Sequence, residues 1–153
     1  MSASWRWDGA PPKGSGGRAT PARRLDGLRI LVIDDDQDAR ELLATVLEQR
    51  RAVVSTASNV ADALAFLARE EVDVVVSDIA MPEEDGYTLI AKLRRLDGAR
   101  ARVPTIAVTA HAAPSDRARA MAAGFDRYYA KPVDLDALVD AILELHGPRL
   151  RAV

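Results

Sequence analysis

Five runs of strand length, each dominated by apolar or β-branched residues, recur along this chain, and the stretches between them carry the spacing of helices. The runs are residues 30–33, 53–56, 72–76, 105–108 and 128–130. Between them Ala39, Leu42, Leu43, Val46 and Leu47 recur at the i, i+3, i+4, i+7 intervals of one helix face, as do Val60, Ala63, Leu64 and Leu67. Leu135, Leu138, Val139, Ile142 and Leu143 repeat the pattern near the C-terminus, and Gly86, Leu89, Ile90 and Leu93 give the third helix in chain order. The stripe Ala118, Met121, Ala122 and Phe125 is smaller, so that helix is expected to be weakly anchored and mobile. Strands alternating with helices predict an α/β fold with a parallel sheet and right-handed crossovers. Runs so rich in Val and Ile suit a sheet covered on both faces. Ser58 and Asp134 are expected as helix N-caps, Pro114 in a first turn and Gly124 at a C-terminus. The first helix lacks a closing glycine: the chain there reads Gln49-Arg50-Arg51-Ala52, so its end must be capped differently or carry strain.

In a parallel sheet all strand C-termini lie along one edge, where α/β proteins place their chemistry. The residues just after each run are therefore informative. Asp34-Asp35-Asp36 succeeds the first, Asp78 the third, Thr109 the fourth and Lys131 the fifth. Carboxylates gathered within a few ångströms raise one another's proton affinity unless a cation sits among them. An all-oxygen cluster suits Mg²⁺, or Mn²⁺, which keeps coordination sites for a phosphoryl oxygen. With Lys131 and the Thr109 hydroxyl beside it, the group makes a site for a tetrahedral dianion attached to a carboxylate, Asp78 acting as nucleophile.

Length and composition bound the rest. At 153 residues and 48% hydrophobic the chain fits one domain. Residues 1–26 are rich in Gly, Pro, Ser, Ala and Arg and are expected to form a flexible tail, with residues 27–147 folded and 148–153 a short C-terminal tail. Both tryptophans, Trp5 and Trp7, fall in the first tail. Arg6, Lys13, Arg18, Arg23 and Arg24 against Asp8 give residues 1–24 a charge of +4, leaving −6 for the remainder. An acidic body argues against nucleic acid as a direct ligand. The chain has no cysteine, which removes disulfides and thiolate chemistry. No apolar stretch approaches the roughly 20 residues that span a bilayer, and no signal-peptide core stands at the N-terminus, so a cytoplasmic protein without membrane contact is expected.

Residues 28–146 resemble the receiver domain of response regulators, the phosphoacceptor module of two-component signalling. The motifs that carry the resemblance are Ile33-Asp34-Asp35-Asp36, Asp78-Ile79-Ala80-Met81-Pro82 with Asp85-Gly86, Val108-Thr109-Ala110, and Tyr128 ahead of Lys131-Pro132. The resemblance implies a flavodoxin-like (βα)5 doubly wound sheet of strand order 2-1-3-4-5. It implies phosphorylation on Asp78, a Mg²⁺ ion held by Asp35, Asp78 and the backbone carbonyl of Ala80 with Asp34 in support, and Thr109 and Lys131 on the phosphoryl group. A cis Lys131-Pro132 bond is implied as well. Thr109 and Tyr128 would be the switch pair, and the fourth helix, fifth strand and fifth helix the output surface and any weak dimer contact. A histidine kinase or histidine phosphotransfer protein would be the donor, and an unidentified protein the downstream partner. Such a domain catalyses its own phosphorylation and slow hydrolysis without being classed as an enzyme. The lead-in from Leu25 to Ile33 is similar to that of receivers closing hybrid sensor kinases.

Two other readings compete. A haloacid-dehalogenase-like Mg²⁺ phosphatase would use Asp34 as nucleophile in an Asp-x-Asp motif; it leaves Asp78 idle and lacks a late paired-acid motif. A flavin-binding flavodoxin relative needs a first loop that cradles phosphate, and this one is acidic. Among the remaining side chains, His111 could orient a water two residues beyond Thr109, while Ala80 cannot. Otherwise His111 and His146 read as loop and helix-end residues. Arg94, Arg95, Arg100 and Arg102 read as a solvated face, and of Tyr128 and Tyr129 one is expected in the core and the other exposed.

Overall fold

The computed structural model describes residues 24–110 and 113–151. Most of the expected flexible tail, with Trp5 and Trp7, lies outside them, as does His111. The order is β1 (Arg29–Ile33), α1 (Gln37–Gln49), β2 (Val53–Ala57), α2 (Val60–Arg69), β3 (Val74–Asp78), α3 (Gly86–Leu93), a 3-10 turn (Gly98–Arg102), β4 (Thr105–Thr109), α4 (Pro114–Ala123), β5 (Arg127–Ala130) and α5 (Leu135–Arg151). All five strands pair in parallel in the order β2-β1-β3-β4-β5. β3 is therefore central, and its residues are buried on both faces.

Alternation along the strands sorts the helices into two layers. Ile30, Val32, Val74, Val76, Ile106 and Val108 face Leu47 of α1 and Leu138, Val139 and Ile142 of α5. Leu31, Ile33 and Val75 face Val60, Ala63 and Leu67 of α2 and Leu89 and Leu93 of α3. Ala107 and Tyr128 meet Ile90 of α3 and Ala120 and Phe125 of the α4 region. Each of the inner strands thus serves two cores.

Several expectations are corrected. The folded body begins before residue 27: Leu25 is fully buried, its N–H donating to the Arg50 carbonyl at 2.6 Å, and Gly27 N donates to Arg51 O at 3.1 Å. α5 does not stop near His146 but continues to Arg151. β3 starts at Val74, because Asp73 instead accepts from the Arg29 backbone N–H (2.8 Å) and Nε (3.3 Å). The N-cap of α2 is Asn59, whose side chain accepts from Asp62 N, and not Ser58. Asp134 caps α5 as expected, accepting from Asp136 N and Ala137 N. On α1, Leu42 is exposed and only Leu47 is buried. On α4 the buried residue is Ala120, while Ala118, Met121 and Ala122 are exposed, so this helix is even less embedded than its sequence suggests.

The missing glycine after α1 has a direct answer. Arg51 occupies the left-handed region at φ 77°, its N–H donating to Glu48 O (2.9 Å) while Ala52 N donates to Leu47 O (3.2 Å). That is a Schellman closure built on an arginine. A side chain in this region costs about 1–2 kcal/mol, and glycine there gives back part of that as unfolded-chain entropy. Arg51→Gly is thus expected to raise stability by roughly 0.5–1 kcal/mol, read from the urea midpoint. An unchanged or lowered midpoint would mean that the arginine side chain holds more than its exposed 3.8 Å pairing with Asp26.

Candidate functional site

The acidic triplet divides as soon as α1 begins. Asp36 is the N-cap of α1 and accepts from Asp38 N and Ala39 N, so its carboxylate is used by the helix. Asp34, buried, continues the ladder through its N–H to Ala57 O (3.2 Å). Its Oδ1 accepts from Asp36 N (2.9 Å), its Oδ2 from Lys131 Nζ (2.9 Å) and its carbonyl from Arg40 Nη1 (2.8 Å). Asp35, between them, is exposed. Asp78 is the last residue of the central strand and is buried, with Oδ1 accepting from Ala80 N at 3.3 Å.

Strand order then does the assembly. β3 lies between β1 and β4, so Asp78 is flanked by Asp34 and Asp35 on one side and by Thr109, the buried last residue of β4, on the other. One carboxylate oxygen from each of Asp34, Asp35 and Asp78 lies within 4.8 Å of the others. Lys131 stands just past β5, its backbone N–H donating to Thr109 O at 2.8 Å, and its Nζ is 3.5 Å from Asp78 Oδ2. The Lys131-Pro132 bond is cis. Oxygen donors alone, three negative charges and one ammonium group make a donor set that fits a hard divalent cation and no soft metal.

Electrostatics agree with the geometry. Burial pushes the Asp78 carboxyl up from its ordinary range; the Lys131 charge and the Ala80 N–H pull it down, while Asp34 and Asp35 push it further up, and the net shift is upward. Burial lowers Lys131, but the hydrogen bond to Asp34 and the charges of Asp78 and Asp34 outweigh this and raise it above 10.5. These shifts make stability depend on pH. The folded Asp78 carboxyl binds its proton more tightly than the unfolded chain, so wild-type stability falls as pH rises from the unfolded value, about 3.9, through the folded one. Without divalent cation, Asp78→Asn is expected to be the more stable protein at pH 7, the gap closing as pH is lowered through that window. Thermal melts across pH in EDTA measure it; a wild type that gains stability over the variant between pH 4 and 7 contradicts the burial argument.

Two neighbours of Asp78 carry more than their sequence signal suggests. In sequence Gly86 only opens a helix stripe, yet a Cβ there would stand 2.8 Å from Ile79 Cα and 2.9 Å from Asp78 O, so only glycine lets α3 start against the end of β3. Its N–H donates to Ile79 O at 2.8 Å. Glu83, in the same loop, holds φ 66°, a conformation for which residue type gives no clear signal. The switch candidates are both inside: Thr109 and Tyr128 are buried, and Tyr129 is half-buried against the other core, so neither tyrosine is fully exposed. The Arg94 and Arg100 side chains are not a solvated face either, for both bond backbone carbonyls.

A model of the response regulator receiver domain matches residues 30–143, and the chain belongs to that family. It is 48% identical over 110 residues to an uncharacterized 14.6 kDa protein of Leptolyngbya boryana, a match covering 72% of this chain and 83% of that one. It is 37% identical over 126 residues to the sensor histidine kinase RcsC of Escherichia coli K12, covering 82% of this chain but spanning only 13% of the kinase. Among solved structures, the CheY-like receiver domain protein of Methanospirillum hungatei superposes with a TM-score of 0.75 at 26% identity, covering 84% of this chain and all of that one. The receiver domain of the Francisella response regulator 1452 gives 0.74 at 26%, covering 80% and 99%. Fold and family thus agree with two-component signalling, and the haloacid-dehalogenase reading is not supported.

Proposed function

We propose that this protein is a single-domain response regulator that takes a phosphoryl group from a phosphohistidine onto Asp78. The donor is a histidine kinase or a histidine phosphotransfer protein. The observation that carries this reading is the approach of three carboxylates within 4.8 Å, with an ammonium group brought to them from another strand end. The 14.6 kDa relative, most of whose length the chain spans, supports a regulator acting by itself.

Asp35, Asp78 and the Ala80 carbonyl, with Asp34 in support, would hold a Mg²⁺ or Mn²⁺ ion, which would supply neutralisation of the charge on the phosphoryl oxygens. An Asp78 carboxylate oxygen attacks phosphorus as the bond from phosphorus to the donor imidazole nitrogen breaks; the imidazole leaves with the electron pair and takes a proton. Lys131, freed from part of its pairing with Asp34, binds one phosphoryl oxygen, and the Thr109 hydroxyl donates to another. Water later hydrolyses the acyl phosphate at the same site, so the protein resets itself without turning over a separate substrate.

Output runs through α4, β5 and α5, which would bind the downstream protein, pair weakly with a second copy, or leave Asp78 open to pass the phosphate on. Tyr128 is already buried beside Ala120 and Phe125. Drawing Thr109 toward the phosphoryl group therefore fixes α4 in place more than it turns the tyrosine, a population shift of a weakly embedded helix. Among the described residues no helix is long and apolar enough to cross a membrane, and we assign the protein to the cytoplasm, where such donors present their phosphohistidine.

Incubation with acetyl phosphate and Mg²⁺ tests the reading. Intact mass is expected to rise by one phosphoryl group, the gain disappearing with EDTA. Labelling that persists in EDTA overturns the metal-assisted site.

A further inference from the structure

Arg40 has no part in the phosphoryl transfer, yet it reaches the site. It stands in the first turns of α1, where the helix dipole favours anions, and its guanidinium turns back to donate from Nη1 to the Asp34 carbonyl at 2.8 Å. Among the described residues it forms no ion pair, although Asp34, Asp35, Asp36 and Asp38 are all close in sequence. Its charge is applied to a backbone oxygen instead of a carboxylate.

That oxygen belongs to the peptide plane joining Asp34 to Asp35. The Asp34 side chain is fixed independently, by Asp36 N and Lys131 Nζ, and Asp34 N is fixed by Ala57 O. Asp35 is different: it is exposed, and none of these bonds reaches its carboxylate. What aims Asp35 into the cluster is the orientation of the preceding peptide, which sets the direction of its Cα–Cβ bond. We infer that Arg40 is a positioning residue: by gripping the Asp34 carbonyl it orients Asp35 toward Asp78 and so sets the affinity of the site for Mg²⁺. This rests on the metal-binding reading of the acidic cluster.

Simple electrostatics predicts the opposite sign, since deleting a nearby cation should tighten Mg²⁺ binding. The experiment uses that contrast. Mg²⁺ binding to the full chain is measured by calorimetry for the wild type, Arg40→Ala and Arg40→Lys, with urea melts to confirm folding. Acetyl phosphate labelling is followed as a function of Mg²⁺. Arg40→Ala is expected to weaken Mg²⁺ binding by about tenfold, the low end for losing a group that orients a metal ligand. Its labelling rate should return close to the wild-type value at saturating Mg²⁺. Arg40→Lys, which keeps a donor for the carbonyl, should recover most of the affinity. Unchanged or tighter binding in Arg40→Ala, or a lysine variant no better than alanine, overturns the inference. A wild type that binds no Mg²⁺ overturns the reading of the site itself and this inference with it.

Discussion

Lys131→Ala is expected to bind Mg²⁺ more tightly than the wild type and still to accept phosphate from acetyl phosphate about a hundredfold more slowly. The two effects separate because Lys131 acts at different moments. Before phosphate arrives, its Nζ lies 2.9 Å from Asp34 Oδ2 and 3.5 Å from Asp78 Oδ2, so it competes with any divalent cation for the same oxygens. Removing it leaves three carboxylates within 4.8 Å with their mutual repulsion uncompensated, which a dication relieves. During transfer the requirement reverses. Charge builds on the phosphoryl oxygens, and a fixed ammonium group beside them is worth on the order of 3 kcal/mol. Against burial, the hydrogen bond to Asp34 and the charges of Asp78 and Asp34 raise its pKa, so it stays charged near neutral pH. Calorimetry and labelling kinetics on one variant check both halves. Weaker Mg²⁺ binding, or unimpaired labelling, would show that the lysine is only a structural partner of Asp34.

The second large effect lies away from the site. Arg94, at the end of α3, donates to Ala101 O (3.1 Å) and Val103 O (2.7 Å) through Nη1 and to Gly124 O (2.7 Å) and Asp126 Oδ2 (3.1 Å) through Nη2. It joins α3 to the entry of β4 and to the turn between α4 and β5, and Asp126 in turn accepts from Thr105 N at 2.9 Å. Truncation leaves several part-buried carbonyls without their donor, each costing about 1 kcal/mol or more. Arg94→Ala is therefore expected to lose about 3 kcal/mol of stability, and Arg94→Lys most of that, because one ammonium group does not replace a planar fork. Urea unfolding measures it, and a loss under about 1 kcal/mol for Arg94→Ala would contradict the bracket. Since the bracket also ties down the C-terminal end of α4, both variants should loosen the helix proposed to switch.

The parallel sheet and the residues at its ends were legible because each signal was redundant. Runs of Val and Ile, helices at the right spacing, and Asp, Thr and Lys after successive runs all required one edge. What sequence could not resolve were bonds between a long side chain and a distant carbonyl. Arg94, Arg100 and Arg40 look like solvated arginines, since nothing local marks the carbonyl each reaches. Element ends are obscure for a related reason: Leu25 joins the core only because Arg50 and Arg51, in the turn after α1, supply carbonyls to its turn. Asp36 is indistinguishable from its neighbours in sequence because three like residues carry no mark of which one a helix will take as its cap. Gly86 could have been found from the demand for close approach behind a strand-end carboxylate, but only once β3 was known to end on Asp78 itself.

The central claim, that Asp78 alone among the three clustered aspartates accepts the phosphoryl group, is tested most directly by locating that group. Protein labelled with acetyl phosphate and Mg²⁺ is reduced with borohydride, digested and mapped, beside Asp34→Ala and Asp78→Ala. The modification should appear at Asp78 alone, and the Asp78→Ala protein should carry none. Modification at Asp34 or Asp35, or undiminished labelling of Asp78→Ala, would contradict it.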